Sequence, residues 1–104
     1  MVHFVGAGSG AKDLITVRGM NLLKNADVII YAGSLVNPEL LEYAEDSCEI
    51  YNSAYMTLEE IIDVIKTADS ENKDIVRLHT GDSSIYGAIR EQIEQLNSYD
   101  ISWD

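Results

Sequence analysis

The sequence predicts an α/β domain: a parallel sheet of four to five strands with helices on both faces. Two observations carry this. Short apolar runs such as VHFV, VII and IV are unbroken, as in strands buried on both sides. Each run is followed by a stretch with helical spacing or helix-start chemistry, and strict alternation of strand and helix implies a parallel sheet with crossovers over its faces. The 104 residues suit one small domain.

The elements follow in order. Residues 2–5 form the first strand. Residues 13–25 read as a helix, because Leu14, Val17, Met20 and Leu22 or Leu23 recur at helical spacing. Residues 27–31 (DVIIY) are the second strand. Asn37-Pro38 is a helix start, with Asn as cap and Pro at the first helical position, and the helix runs to about Tyr43. Residues 48–51 are a short third strand. Thr57-Leu58-Glu59-Glu60 is a capping box opening a helix that reaches about Thr67 or Ala68, and residues 68–73 (ADSENK) are a polar turn. Residues 74–78 are the fourth strand, residues 85–96 the fourth helix, and residues 101–103 begin a fifth strand. The chain shows no internal repeat or low-complexity segment. It is expected to continue past Asp104, since a doubly wound domain rarely ends where a strand should form.

The formal net charge is −11. That argues against a nucleic acid, which needs a basic footprint, and against an anionic membrane surface. No apolar run approaches the roughly 18 residues of a membrane span. The single cysteine, Cys48, allows no internal disulfide. With no leader-like start, a reducing cytoplasm is the expected compartment.

Ligands of open parallel sheets bind beyond the carboxyl ends of the strands. Three loops belong at that edge: 6–12, 32–37 and 80–87. Gly6-Ala7-Gly8-Ser9-Gly10-Ala11 fits G-x-G-x-x-G/A, a turn whose backbone approaches a ligand ahead of a helix start. A dinucleotide would also require an acid ending the second strand, to hold a ribose. That strand ends Tyr31-Ala32-Gly33-Ser34, and Asp27 lies at its other end. The third loop is the most informative. In Thr80-Gly81-Asp82-Ser83-Ser84, Asp82 can accept from ribose hydroxyls or a cationic group and Gly81 permits close approach, while Asp82 or Ser84 can equally serve as a plain helix cap. No metal site is legible: His3 and His79 stand apart, and Cys48 has no partner at ligand spacing. Ala7-Gly8-Ser9-Gly10-Ala11 lacks the first glycine of G-x-S-x-G, which argues against a serine hydrolase.

Together these loops resemble a known family. Val5-Gly6-Ala7-Gly8-Ser9-Gly10, then Leu14-Ile15-Thr16-Val17-Arg18-Gly19, is similar to the first signature of the tetrapyrrole methylases. The stretch His79-Thr80-Gly81-Asp82-Ser83-Ser84-Ile85-Tyr86-Gly87-Ala88-Ile89-Arg90-Glu91-Gln92 is similar to their second. Tyr31-Ala32-Gly33-Ser34-Leu35-Val36-Asn37 narrows the likeness to the precorrin-4 branch of cobalamin synthesis. The resemblance covers the family's amino-terminal domain. It implies an S-adenosylmethionine (SAM) dependent C-methyltransferase of two α/β domains, usually a homodimer, with SAM and the tetrapyrrole in the cleft between the domains. It also implies a cofactor site lined by Ser9, Thr80, Gly81, Asp82, Ile85 and Tyr86, with Gly8, Gly10, Ser34 and Leu35 on the substrate side. Some relatives carry an acid proposed as a base, and the matching Tyr31-Ala32-Gly33-Ser34 does not supply one. Ser9 and Ser83 stand where the family usually has proline. Proline stiffens a turn, so a less pre-organised cofactor site is expected here.

Overall fold

The computed structural model describes residues 1–6, 16–31, 38–79 and 86–104. Its elements are β1 (Val2–Gly6), α1 (Val17–Asn25), β2 (Val28–Tyr31), a 3-10 helix (Pro38–Tyr43), β3 (Glu49–Asn52), a 3-10 turn (Ser53–Tyr55), α2 (Leu58–Ser70), β4 (Ile75–His79) and α3 (Tyr86–Ser98). The four strands form one sheet in the order β1-β4-β2-β3, and every pairing is parallel. The chain end adds to it. Val2 bridges Trp103 in parallel, through Val2 N to Ser102 O (2.9 Å), Asp104 N to Val2 O (2.9 Å) and Phe4 N to Asp104 O (3.1 Å). The expected fifth strand is thus a short parallel contact on the free edge of β1.

The order follows from which face each connection crosses. From β1 through β2 to β3 the chain moves one way, and from β3 through β4 to residues 101–104 it moves back. Right-handed crossovers then place the two sets of helices on opposite faces. The core confirms this. Val5, Ile29, Val76 and Leu78 pack with Leu23 of α1 and Leu40 of the 3-10 helix. Val2, Val28, Ile30 and Ile75 pack with Ile61, Ile62, Ile65 and Ala68 of α2 and Leu96 of α3. Successive strand residues serve opposite faces, as the pleat requires. The insertion of β4 between β1 and β2 departs from both the 2-1-3-4-5 order of flavodoxin and the 3-2-1-4 order of dinucleotide-binding halves. The order thereby sets aside the dinucleotide site that the glycine pattern by itself would allow.

Several local expectations need correction. Thr16 is extended (φ −66°, ψ 156°) and its side chain accepts from Gly19 N, so α1 starts at Val17 rather than running through from Asp13. Residues 13–15 lie outside the described residues. Val17 is 70% exposed: it stands in the first turn, and burial falls instead on Gly19 and Leu23. The helix from Pro38 to Tyr43 is present over the expected span, as a 3-10 helix. The capping box is present as expected: Glu60 N donates to Thr57 Oγ1 (3.2 Å) and Thr57 N to Glu60 Oε1 (3.0 Å). α2 continues to Ser70, and the turn beyond it uses Asn72 at φ 59°, a left-handed conformation that Asn tolerates.

Candidate functional site

The carboxyl ends of β1, β4 and β2 lie side by side. Gly6 is in register with His79, and Leu78 with Tyr31. The chain leaves these three strand ends into residues 7–15, 80–85 and 32–37, the loops singled out from the sequence. β4 and β2 are neighbours whose onward connections diverge: β4 leads to α3 on one face, β2 to the 3-10 helix on the other. Such a switch point opens the crevice in which doubly wound sheets bind ligands. α3 runs back from this edge, because residues 101–104 after it pair with the start of β1. Its first residue, Tyr86, is therefore at the carboxyl edge, where helix N–H groups favour anionic ligand atoms.

Ser9, Gly8, Gly10, Ser34, Leu35, Thr80, Gly81, Asp82 and Ile85 all lie outside the described residues. The strands fix where each loop begins. At Gly6, an added Cβ would meet His79 Cε1 at 3.8 Å, an ordinary contact, so packing at this strand end does not itself demand glycine.

Beneath the carboxyl ends of these strands is a feature that the sequence pattern did not expose. Arg77, on central strand β4, is 4% exposed, and Gln92 of α3 is 3% exposed. Arg77 Nε donates to Gln92 Oε1 (3.1 Å). Its Nη1 donates to Ile30 O (3.3 Å) and Leu78 O (3.2 Å), and its Nη2 to Ser53 Oγ (3.2 Å). Ser53 Oγ in turn donates to Tyr31 O (2.9 Å). Burial lowers the guanidinium pKa to about 10, so it stays charged at neutral pH. The only sequence signal was an arginine inside the apolar run IVRLH, a pattern that equally suits a strand-end surface residue.

Other titratable groups form no reactive cluster among the described residues, and none of these residues groups into a metal-holding set. Cys48 is kept protonated, its pKa raised by burial and by Asp27 and Glu49. A cleft lined by Glu49, Tyr51, Asp63, Glu71 and Lys73 lies at the amino end of the strands, opposite the crevice, and its Lys73 is paired with Glu71 at 2.9 Å. No described helix is long and apolar enough to cross a membrane.

Comparison with known proteins agrees with this geometry. The family model for tetrapyrrole (corrin/porphyrin) methylases matches residues 1–104. The cobalt-precorrin-4 C(11)-methyltransferase of Methanocaldococcus jannaschii is 61% identical over 100 residues, which cover 96% of this chain and 39% of that protein. The precorrin-4 C(11)-methyltransferase of a Sinorhizobium species is 47% identical over 98% of this chain and 40% of its own. The X-ray structure of a cobalt precorrin-4 methyltransferase superposes with a TM-score of 0.92 at 41% identity, covering 99% of this chain and 43% of that one. The uroporphyrin-III C-methyltransferase of Thermus thermophilus, solved with S-adenosylhomocysteine, gives 0.78 at 28% identity, covering 99% of this chain and 42% of that one. The chain spans about two-fifths of the length of the curated relatives it matches.

Proposed function

The chain belongs to the tetrapyrrole (corrin/porphyrin) methylase family, and on that premise we propose that it is the amino-terminal domain of a SAM-dependent enzyme that methylates a carbon of a precorrin-4-type tetrapyrrole in cobalamin synthesis. The observation that carries this is 61% identity across 96% of the chain to an enzyme of that name. In the whole protein a second α/β domain supplies the other wall of the cleft, and the enzyme works as a cytoplasmic homodimer.

The described fold suits the cofactor. A crevice at a parallel-sheet switch point offers backbone N–H and C=O groups to an adenosyl moiety and a carboxylate. Ser9, Thr80, Gly81, Asp82, Ile85 and Tyr86 would hold SAM, with the Asp82 carboxylate accepting from ribose hydroxyls or the cofactor's amino group. Gly8, Gly10, Ser34 and Leu35 would face the tetrapyrrole. When bound, SAM supplies a methyl group already activated by its sulfonium. The protein's task is then to orient this methyl against an electron-rich macrocycle carbon and keep water out. Proximity and alignment supply most of the acceleration. That is why no metal or covalent nucleophile is invoked.

The test is calorimetric. The full-length protein should bind S-adenosylhomocysteine, and Asp82→Ala should weaken binding by at least about tenfold, the loss expected for charge-assisted hydrogen bonds. Binding unchanged by Asp82→Ala would refute the cofactor assignment.

A further inference from the structure

Arg77 is an expensive residue for its position. Its neighbours Ile75, Val76 and Leu78 are fully buried, and an apolar side chain of similar volume would fill the same space without burying a charge. What an apolar residue could not do is aim hydrogen bonds at particular backbone carbonyls. Arginine presents its donors in a rigid planar fork. Three of the groups they reach, Ile30 O, Leu78 O and Ser53 Oγ, belong to the carboxyl ends of β2 and β4 and to the residue following β3. Register agrees: Ile30 pairs with Arg77, and Tyr31 with both Leu78 and Asn52. The guanidinium thus lies across the last rungs of the sheet, directly under the switch point.

The chain of donors continues from Arg77 Nη2 to Ser53 Oγ to Tyr31 O. Tyr31 is the last residue of β2. Its carbonyl belongs to the planar peptide unit joining residues 31 and 32, so fixing that oxygen fixes the plane on which the following loop departs. The grip is unequal among the three strand ends. On β2 it holds two successive carbonyls. On β4 it holds Leu78 O, one residue short of the strand end. None of these bonds reaches β1.

We propose that Arg77 and Ser53 form a positioning clamp that sets the departure of residues 32–37 from β2, and so places the substrate side of the crevice more than its cofactor side. This rests on the methyltransferase reading above, in which Ser34 and Leu35 face the tetrapyrrole. Both are positioning residues and neither touches a reacting atom.

The test uses the full-length protein with Ser53→Ala, which removes one hydroxyl from a half-buried turn and leaves the Gln92 bond in place. The KM for the tetrapyrrole should rise about tenfold, the scale of a sub-ångström misplacement. The Kd for S-adenosylhomocysteine should stay within about twofold, since this variant keeps the Arg77 bond to Leu78 O on β4. Amide exchange in a peptide covering residues 31–37 should accelerate several-fold, and in one covering residues 7–15 it should not change. Arg77→Lys keeps the charge but loses the fork, and should reproduce the rise in KM. KM and exchange equal to wild type in Ser53→Ala would overturn the clamp. So would an equal loss of tetrapyrrole and cofactor affinity, which marks general loosening, or wild-type behaviour of Arg77→Lys. A wild-type protein that binds no S-adenosylhomocysteine refutes the methyltransferase reading instead, and the exchange comparison then still decides the clamp.

Discussion

Replacing Arg77 with Met tests whether the buried guanidinium stabilises the sheet. Met matches the aliphatic stem, so packing loss is small and the balance is electrostatic. Against Arg77 stands its desolvation: burial lowers its pKa from the ordinary guanidinium value to about 10, which corresponds to about 3 kcal/mol at 1.36 kcal/mol per pKa step. In its favour are the four bonds to Gln92, Ile30, Leu78 and Ser53. Bonds from a charged donor contribute about 1.5 kcal/mol each at the low end, which suits four bonds sharing one group, for a gross total of about 6 kcal/mol. The hydrogen bonds win, and Arg77→Met should cost about 3 kcal/mol. Part of that loss is Gln92 Oε1 left without its donor inside the core. Removing both partners should therefore recover part of the cost: Gln92→Leu should be destabilising alone and neutral or stabilising beside Arg77→Met. Urea unfolding of the wild type, the two single variants and the double variant completes the cycle. A cost below about 1 kcal/mol for Arg77→Met, or Gln92→Leu having the same effect in both backgrounds, would refute the claim that hydrogen bonds outweigh desolvation.

Two further outcomes are expected. Thr57→Ala removes the acceptor for Glu60 N at the start of α2 and should destabilise by about 1 kcal/mol in urea unfolding, with Thr57→Ser largely retaining stability. The second concerns Asp104, which receives His3 Nδ1 at 2.8 Å and Arg18 Nη2 at 3.0 Å. Burial would raise its pKa, but the hydrogen bonds and charges of His3 and Arg18 outweigh burial and hold it below the usual 3.8. A depressed carboxylate stabilises the fold above its unfolded pKa and loses that contribution as pH falls through the folded value. Since the side chain is 40% exposed, the contribution is at most a few tenths of a kcal/mol. Asp104→Asn should therefore be slightly less stable than wild type at pH 6, with the gap closing below pH 3.8. A gap of unchanged size at low pH would refute a charge-based contribution from Asp104.

Much of the architecture was legible locally. Alternating apolar runs and helical stretches are set by contacts close in sequence, so the parallel α/β class, the capping box at Thr57 and a further extended segment near residues 101–103 were readable, though not the partner of that segment. The glycine pattern after β1 and the Thr80-Gly81-Asp82 stretch carried the family likeness by residue identity. Errors arose where one local signal competes with another. Thr16 caps α1 instead of joining it, because its hydroxyl satisfies Gly19 N.

What the sequence determined by itself is the kind of layer each segment joins, since periodicity records which faces must be buried. Only the tertiary structure decided which strands are neighbours. That choice depends on the face over which each crossover travels, and no local pattern encodes it. Placing β4 between β1 and β2 brings to one edge the three strand ends that lead into the candidate loops. The same placement turns Arg77 from an arginine near a strand end into a buried fork that ties β2, the turn after β3 and α3 together beneath it.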